Sequence, residues 1–306
     1  MYKLFTVMTM LSLVMLHSSA HAKSESHNVN DNLSNKNISI KWLGGPTVLI
    51  TFNGMSILTD PMFGYGDKAF YMADPNEMFD LAKGPNMKHH KRITAFPGIA
   101  LETVDLVVLS HAHEDHFDQK AEQLLNKNTP FLLPPANIEQ LQKKGFNRLS
   151  TLSVGDSISY KAGEGKVTFT AVTAHHTDNG DIKHLLGEGN GYWITFEQDN
   201  WQYTLYWTGD TLATKDLIDE VKALGQIDLL IAHMGRVGTT GPLGKISMGA
   251  DDVIAMSAAL QPEKLLPIHH STYALYLEPI HHLVTKSLGK PYGLDVISEG
   301  STLIYQ

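Results

Sequence analysis

The segment Ser110-His111-Ala112-His113-Glu114-Asp115-His116 constrains this chain more than any other. It sets three imidazoles and the Asp115 carboxylate close together, directly after the apolar run Val104-Asp105-Leu106-Val107-Val108-Leu109. On an extended backbone alternate side chains share a side, so His111 and His113 can reach one metal ion. Asp115 and His116 fall where the chain turns away, and can reach a second ion beside the first. The competing reading is a chance cluster, since the chain holds 16 histidines. That number makes a pair expected somewhere, but not this order behind a buried strand.

Other strand-like runs also end in polar residues, as expected if strand ends converge on one site. Val172-Thr173-Ala174 leads into His175-His176, and Leu205-Tyr206-Trp207 leads into Thr208-Gly209-Asp210-Thr211. Leu265-Leu266-Pro267-Ile268 leads into His269-His270, and Leu229-Leu230-Ile231-Ala232 into His233. Gly209 would let the backbone turn close to an ion. The chain has no cysteine. Disulfides and thiolate ligands are therefore excluded, leaving His, Asp and Glu as the donors.

At the N-terminus, Met1-Tyr2-Lys3 precedes an apolar stretch from Leu4 to Leu16, and Ala20-His21-Ala22 follows. A basic residue, a short apolar core and an A-x-A site read as a secretory signal peptide over 1–22. The stretch is shorter than the roughly 20 residues a spanning helix needs. Residues 23–37, rich in Ser, Asn, Lys and His, read as a flexible leader. The mature protein is thus expected to start near Lys23 and to be exported, periplasmic or secreted, with no stable membrane anchor. Lys and Arg total 24 against 32 Asp and Glu, a formal net charge of −8. That balance argues against a nucleic-acid partner. The brief basic run Lys88-His89-His90-Lys91-Arg92 reads as a solvated loop.

From Ile38 onward no Pro/Ser-rich linker divides the sequence, and one domain of 38–306 is expected. Ile38, Ile40 and Trp42 alternate, as do Val48, Ile50 and Phe52, and Asn53-Gly54 marks a hairpin before Ile57-Leu58-Thr59. Further strands are expected at 131–133, 167–172, 192–196, 203–207, 228–232 and 264–268, with final ones around Val296 and Leu303. Helices are expected at 119–126, 137–143, 215–224, 250–260 and near 280–288. Two β-rich halves with outer helices suggest an α/β fold, a four-layer αβ/βα sandwich.

In order and spacing these motifs resemble the metallo-β-lactamase superfamily over nearly all of 40–305. Thr59-Asp60-Pro61, Ser110-His111 with the Asp115-His116 pair, Thr208-Gly209-Asp210-Thr211, Met248-Gly249 and Pro267-Ile268-His269 carry the resemblance. They are most similar to the ascorbate-6-phosphate lactonase-like and N-acylphosphatidylethanolamine phospholipase D-like groups. The resemblance implies one ion on His111, His113, His176 and Asp210, and a second on Asp115, His116, Asp210 and His269. His175 is the alternative to His176, and His270 to His269. It implies two divalent ions, Zn with Mn or Fe open, which supply a hydroxide nucleophile and a Lewis acid.

The expected activity is hydrolysis of a lactone or carboxylic ester, with Asp115, Asp210 and His233 as catalytic residues. A phospholipase D-like phosphodiesterase is the alternative; a β-lactamase and a non-catalytic metal-binding protein are further ones. A phosphate substrate would call for cationic neighbours, and Arg236, Lys245 and His233 are the candidates. His233 reads equally as a proton donor to the leaving group or as a hydrogen-bonded strand-end residue. Tyr273 reads as a hydroxyl near substrate or as packing. His281-His282 on a helix and His89-His90 in a loop read as structural. The region from Met62 to Phe96, rich in Met and aromatics, reads either as an apolar wall for a small hydrophobic substrate or as packing on the sandwich or a dimer contact.

Overall fold

The computed structural model describes residues 36–306. The expected signal peptide, and the leader up to Asn35, lie outside the described residues. The chain opens with the antiparallel strands β1 (Ile38–Gly44), β2 (Thr47–Phe52) and β3 (Met55–Thr59). A two-stranded ribbon, β4 (Phe70–Ala73) and β5 (Met87–His90), stands apart from both main sheets. Strands β6 (Leu106–Val108), β7 (Phe131–Leu133) and β8 (Leu149–Thr151) then extend the first sheet in parallel from β3.

The second sheet begins with β9 (Ser157–Ala162), β10 (Gly165–Ala174), β11 (Gly189–Gln198) and β12 (Trp201–Trp207), all antiparallel. It continues in parallel through β13 (Leu229–His233), β14 (Lys264–Ile268) and the short β15 (Gly293–Leu294). Finally β16 (Thr302–Tyr305) crosses back to pair with β1. Helices α1 (Gln119–Leu124) and α2 (Ile138–Lys143) follow strands of the first sheet. Helix α3 (Lys183–Leu186) is a single turn, whereas α4 (Lys215–Leu224), α5 (Ala250–Leu260) and α6 (His281–Lys286) accompany the second sheet.

The layers follow from which side chains touch. Ile38, Ile40, Ile50, Leu106 and Val108 of the first sheet share one core with Phe169, Ile194, Leu205 and Ile231 of the second. Val107 points the other way and packs with Ala121 and Leu141 of the helices. Beyond the second sheet, Leu230 and Leu265 pack with Leu217, Val221, Met256 and Leu283. Helices therefore cover both outer faces, and the αβ/βα sandwich expected from the sequence is the fold. A strand covered on both faces must be apolar throughout, which is why β6 does not alternate. Each such fully buried Val or Leu contributes roughly 1.5–3 kcal/mol.

The sequence reading placed most elements, with two corrections. The strand expected around Val296 is β15, earlier and only two residues long; Val296 itself is exposed. The basic run is not a solvated loop. His90 lies in β5, buried, stacked on Phe70 and hydrogen-bonded to the Met72 carbonyl at 3.1 Å. Arg92 is also buried, donating to the Leu43 carbonyl (2.7 Å) and to Glu299 (2.5 Å). A guanidinium satisfies such a pocket because its planar fork serves a carbonyl and a carboxylate together.

Candidate metal centre

The C-terminal ends of β3, β6, β10, β12, β13 and β14 meet at one edge of the sandwich. They deliver Asp60, the 110–116 loop, His176, Asp210, His233 and His269 in turn. Close approach at this edge requires Gly209, whose φ is +58°. A Cβ there would stand 2.8 Å from the Asn190 carbonyl oxygen and 2.9 Å from the Ser110 Cβ. His269 also has a left-handed backbone, φ +60°. Its N–H donates to the Gly45 carbonyl (2.8 Å) and its Nδ1 meets the Met234 carbonyl (2.7 Å), fixing an otherwise disfavoured conformation.

Three groups of donors result among the described residues: two put members on the cleft, while the third, Asp60, His116 and His233, lies behind it. His111, His113 and His176 converge, each offering a nitrogen within 4.8 Å of the others. The Nε2 atoms of His111 and His176 are 3.2 Å apart. Two imidazole nitrogens on one tetrahedral zinc, at about 2.0–2.1 Å each, would stand roughly 3.3 Å apart. The second group is Asp115, His116, Asp210 and His269, all buried. Here His116 Nε2 lies 3.4 Å from one Asp210 oxygen and His269 Nε2 lies 3.7 Å from the other. Asp210 thus presents a separate oxygen to each of this group's two histidines.

The buried Nε2 of His116, Nε2 of His269 and Oδ1 of Asp210 have no hydrogen-bond partner. Orphaned polar atoms cost about 1–3 kcal/mol each, so several aimed at one point call for an occupant. An all-N/O donor set of this kind fits divalent metal ions.

The structure also decides between the adjacent histidines. His176 joins the cluster, held by a contact from its Nδ1 to the Ile246 carbonyl (3.2 Å). His175 does not; its backbone N–H donates to Thr211 Oγ1 at 2.8 Å. His270 turns away from the donors, contacting Ser271 Oγ (3.0 Å) and packing on Trp42 with ring centroids 4.9 Å apart.

One residue's contacts are not visible in the motif spacing. Asp60, fully buried at the end of β3, accepts from Ser110 N–H (2.8 Å) and Ser110 Oγ (2.6 Å), and lies 2.7 Å from His116 Nδ1. It orients His116 so that Nε2 faces the site, the carboxylate–histidine arrangement that fixes a ligand's tautomer. The Thr-Asp-Pro element was the available signal, but nothing in it reveals the partner 56 positions on. His233 sits behind this pair, fully buried. Its Nδ1 is 3.3 Å from Thr208 Oγ1, and its Nε2 is 4.0 Å from Asp60 and unpartnered. It does not line the cleft, so the geometry seats it against Asp60 rather than before a leaving group. Tyr273 packs against Phe70 and meets Arg92 at 3.3 Å, in the packing role.

Charge divides the two groups of donors on the cleft. Burial, with the positive charges of His176 and His116, holds His113 down to about 3; burial depresses His111 and His176 as well. Burial opposes protonation of His116 too, yet Asp210 and Asp60 on either side raise it well above the usual imidazole value. Burial pushes the Asp115 carboxyl up to about 7, with Asp210 adding to the rise and His116 opposing it.

Over this floor lies a cavity of about 330 Å³. Its walls come from Met72, Pro75, Phe79 and Met87 of the ribbon region, from Leu185 and Leu186, and from Val237, Leu243 and Ile246. The Met62–Phe96 region therefore divides: Met62, Phe63 and Phe70 are packed inside, while Met72 to Met87 face the cleft. No Lys or Arg lines this cavity among the described residues. Arg236 lies 3.8 Å from Glu278 and Lys245 pairs with Asp252 at 2.6 Å, neither on its wall.

Strand ends that gather possible metal donors at one edge of an αβ/βα sandwich are the arrangement of the metallo-β-lactamase fold. The chain belongs to the Beta-lactamase superfamily domain family, whose model matches residues 39–269. A UPF0173 metal-dependent hydrolase of Listeria welshimeri is 25% identical over 181 residues, covering 59% of this chain and 73% of that one. The mitochondrial N-acyl-phosphatidylethanolamine-hydrolyzing phospholipase D of Saccharomyces cerevisiae is 24% identical over 249 residues, 78% of this chain and 49% of that one. The chain spans 63% of the length of the Mycobacterium tuberculosis and Mycobacterium bovis relatives it matches. Among solved structures, an isothiocyanate hydrolase from Delia radicum gut bacteria superposes with TM-score 0.70 at 20% identity, covering 87% of this chain and 98% of that one. The chain is thus a member of the metallo-β-lactamase superfamily.

Proposed function

We propose that the protein is a dinuclear hydrolase of esters or lactones with an apolar acyl part. The carrying observation is the cavity over the metal centre, walled by Met, Leu, Ile and Phe side chains and without a Lys or Arg among the described residues. His111, His113, His176 and Asp210 would hold one ion, and Asp115, His116, Asp210 and His269 the other. Ions bound there supply a Lewis acid and an activated water at neutral pH. Asp115 orients the attacking water, and its carboxylate oxygen can take that water's proton and return it to the leaving oxygen. Asp60 fixes the His116 ring from behind. The apolar walls exclude bulk water and seat the acyl chain. A phosphodiester carries a negative charge, and these walls offer it no Lys or Arg among the described residues.

The test is a matched panel of an acyl lactone, an acyl ester and a phosphodiester of equal chain length, with metal content measured throughout. Lactone or ester turnover that falls by well over 100-fold in Asp210→Asn is the expected result. Phosphodiester turnover in its place would overturn the substrate class. The proposal also holds that the mature chain is exported, on the composition of residues 1–22. Recovery of the full chain outside the cytoplasm with Lys23 as its new N-terminus would check it.

A further inference from the structure

The cleft carries one charged side chain that the metal centre does not use. Glu114 lies between His113 and Asp115 in the 110–116 loop, lines the same cavity as Phe79, Leu185 and Leu243, and is half-buried. It enters no ion pair among the described residues, and Asp115 and Asp210 line the same cavity. The ligand pattern asks nothing of this position, which is the spacer between His113 and the Asp115-His116 pair. A carboxylate is a costly spacer beside two further carboxylates, Asp115 and Asp210, since each disfavours the others' charge. If a plain solvated turn were the requirement, an uncharged residue would serve better.

We propose that Glu114 sets the charge selectivity of the cleft, favouring substrates that carry a cationic group, such as a quaternary ammonium, beside the scissile ester and turning anionic ones away. This rests on the reading of the cavity as an ester or lactone site. The floor, loaded with metal, draws the reacting oxygen; the charge on the wall then decides what the rest of the molecule may carry. Burial of one side raises the effective field of a carboxylate above that in water. At about 5 Å and a dielectric intermediate between protein and water, a unit pair is worth on the order of tenfold in affinity. Phe79 and Leu185, on the lining of the same cavity, supply apolar surface against which alkyl groups on such a cation would pack.

The experiment compares choline esters with their uncharged 3,3-dimethylbutyl isosteres on the metal-loaded protein and on Glu114→Gln and Glu114→Lys. The wild type should prefer the choline ester by about tenfold in kcat/KM. The preference should fall to about one in Glu114→Gln and invert in Glu114→Lys. Raising ionic strength from about 0.01 M to about 1 M should shrink it in the wild type without any substitution. A ratio near one in the wild type, or one that Glu114→Gln leaves unchanged, overturns the proposal while leaving ester hydrolysis intact.

If no ester is turned over, the reading of the cavity fails instead, and binding decides the present point. Calorimetric titration with octyltrimethylammonium and with 1-octanol should then show the cation about tenfold weaker in Glu114→Gln and the alcohol unmoved. Equal loss for both ligands, or loss for neither, overturns it.

Discussion

The floor and the walls of the cleft are built on opposite principles. The floor is a set of polar side chains, nearly all buried, each held from behind: His116 by Asp60, His269 by the Met234 carbonyl, His176 by the Ile246 carbonyl. The walls, Glu114 aside, are apolar, and their outer residues are loosely covered: Leu81, Met87 and Leu185 are each near half exposed. A floor that must hold ions to fractions of an ångström needs a second layer of hydrogen bonds. A wall that has only to seat an alkyl group needs area and rough shape, and tolerates substitution within it. The contrast makes a graded forecast: changes behind the floor should cost far more than changes on the walls.

The largest expected effect is at Asp60. Asp60→Ala removes the acceptor for His116 Nδ1 and for Ser110, without touching a metal donor. Metal affinity at the carboxylate-bearing half should weaken about 10–100-fold. Titration against a competing chelator measures it, and Asp60→Asn should recover part of the loss by keeping a hydrogen-bonding group beside the ring. Unchanged affinity in Asp60→Ala would show that the second layer is not what holds the floor.

What the sequence could reveal follows the same division. The floor was legible because a metal demands particular donor types at the ends of particular strands, and strand ends can be read from apolar runs. His175 and His176 could not be separated, because adjacent residues at a strand end point opposite ways and only the exact end of β10 chooses. The partnership of Asp60 with His116 joins two strand ends through parallel pairing of β3 and β6, a register no local pattern encodes. The walls were half legible. Residues 62–96 announced themselves by composition, but Leu185, Val237 and Leu243 reach the cleft only through the folding of separate loops. Arg92 was misread because a short basic run gives no sign that Glu299, far along the chain, will bury it.

A second prediction separates the two halves of the floor by pH. Burial and mutual repulsion keep His111, His113 and His176 below the usual imidazole value, with His113 at about 3. Above pH 5 no proton competes for His113, so affinity at that half should be nearly flat. His116 is raised well above the usual value by Asp210 and Asp60 against the effect of burial, and Asp115 is pushed up to about 7. An ion entering that half must displace one proton from each, so its affinity should climb about a hundredfold per unit up to about pH 7. Chelator-competition titrations at about pH 5.5, 6.5 and 7.5 read both classes at once. Equal slopes for the two ions would break the asymmetry.

The smallest effect is expected on the walls. Leu243→Ala removes part of a half-buried side chain on the cleft lining, and Met87→Ala removes part of a half-exposed one. Each removed methylene that would have touched substrate is worth about 0.8 kcal/mol at most, less where water already reaches it. Two or three such contacts amount to several-fold in kcat/KM, and only for substrates long enough to make them. The loss should therefore grow with acyl length, from none at two carbons to its full extent at about eight, with Leu243→Ala the larger of the two. A chain-length series on both variants measures the slope. A loss independent of length would mean that these residues support the floor instead of contacting substrate, and the division between floor and wall would have to be redrawn at Leu243.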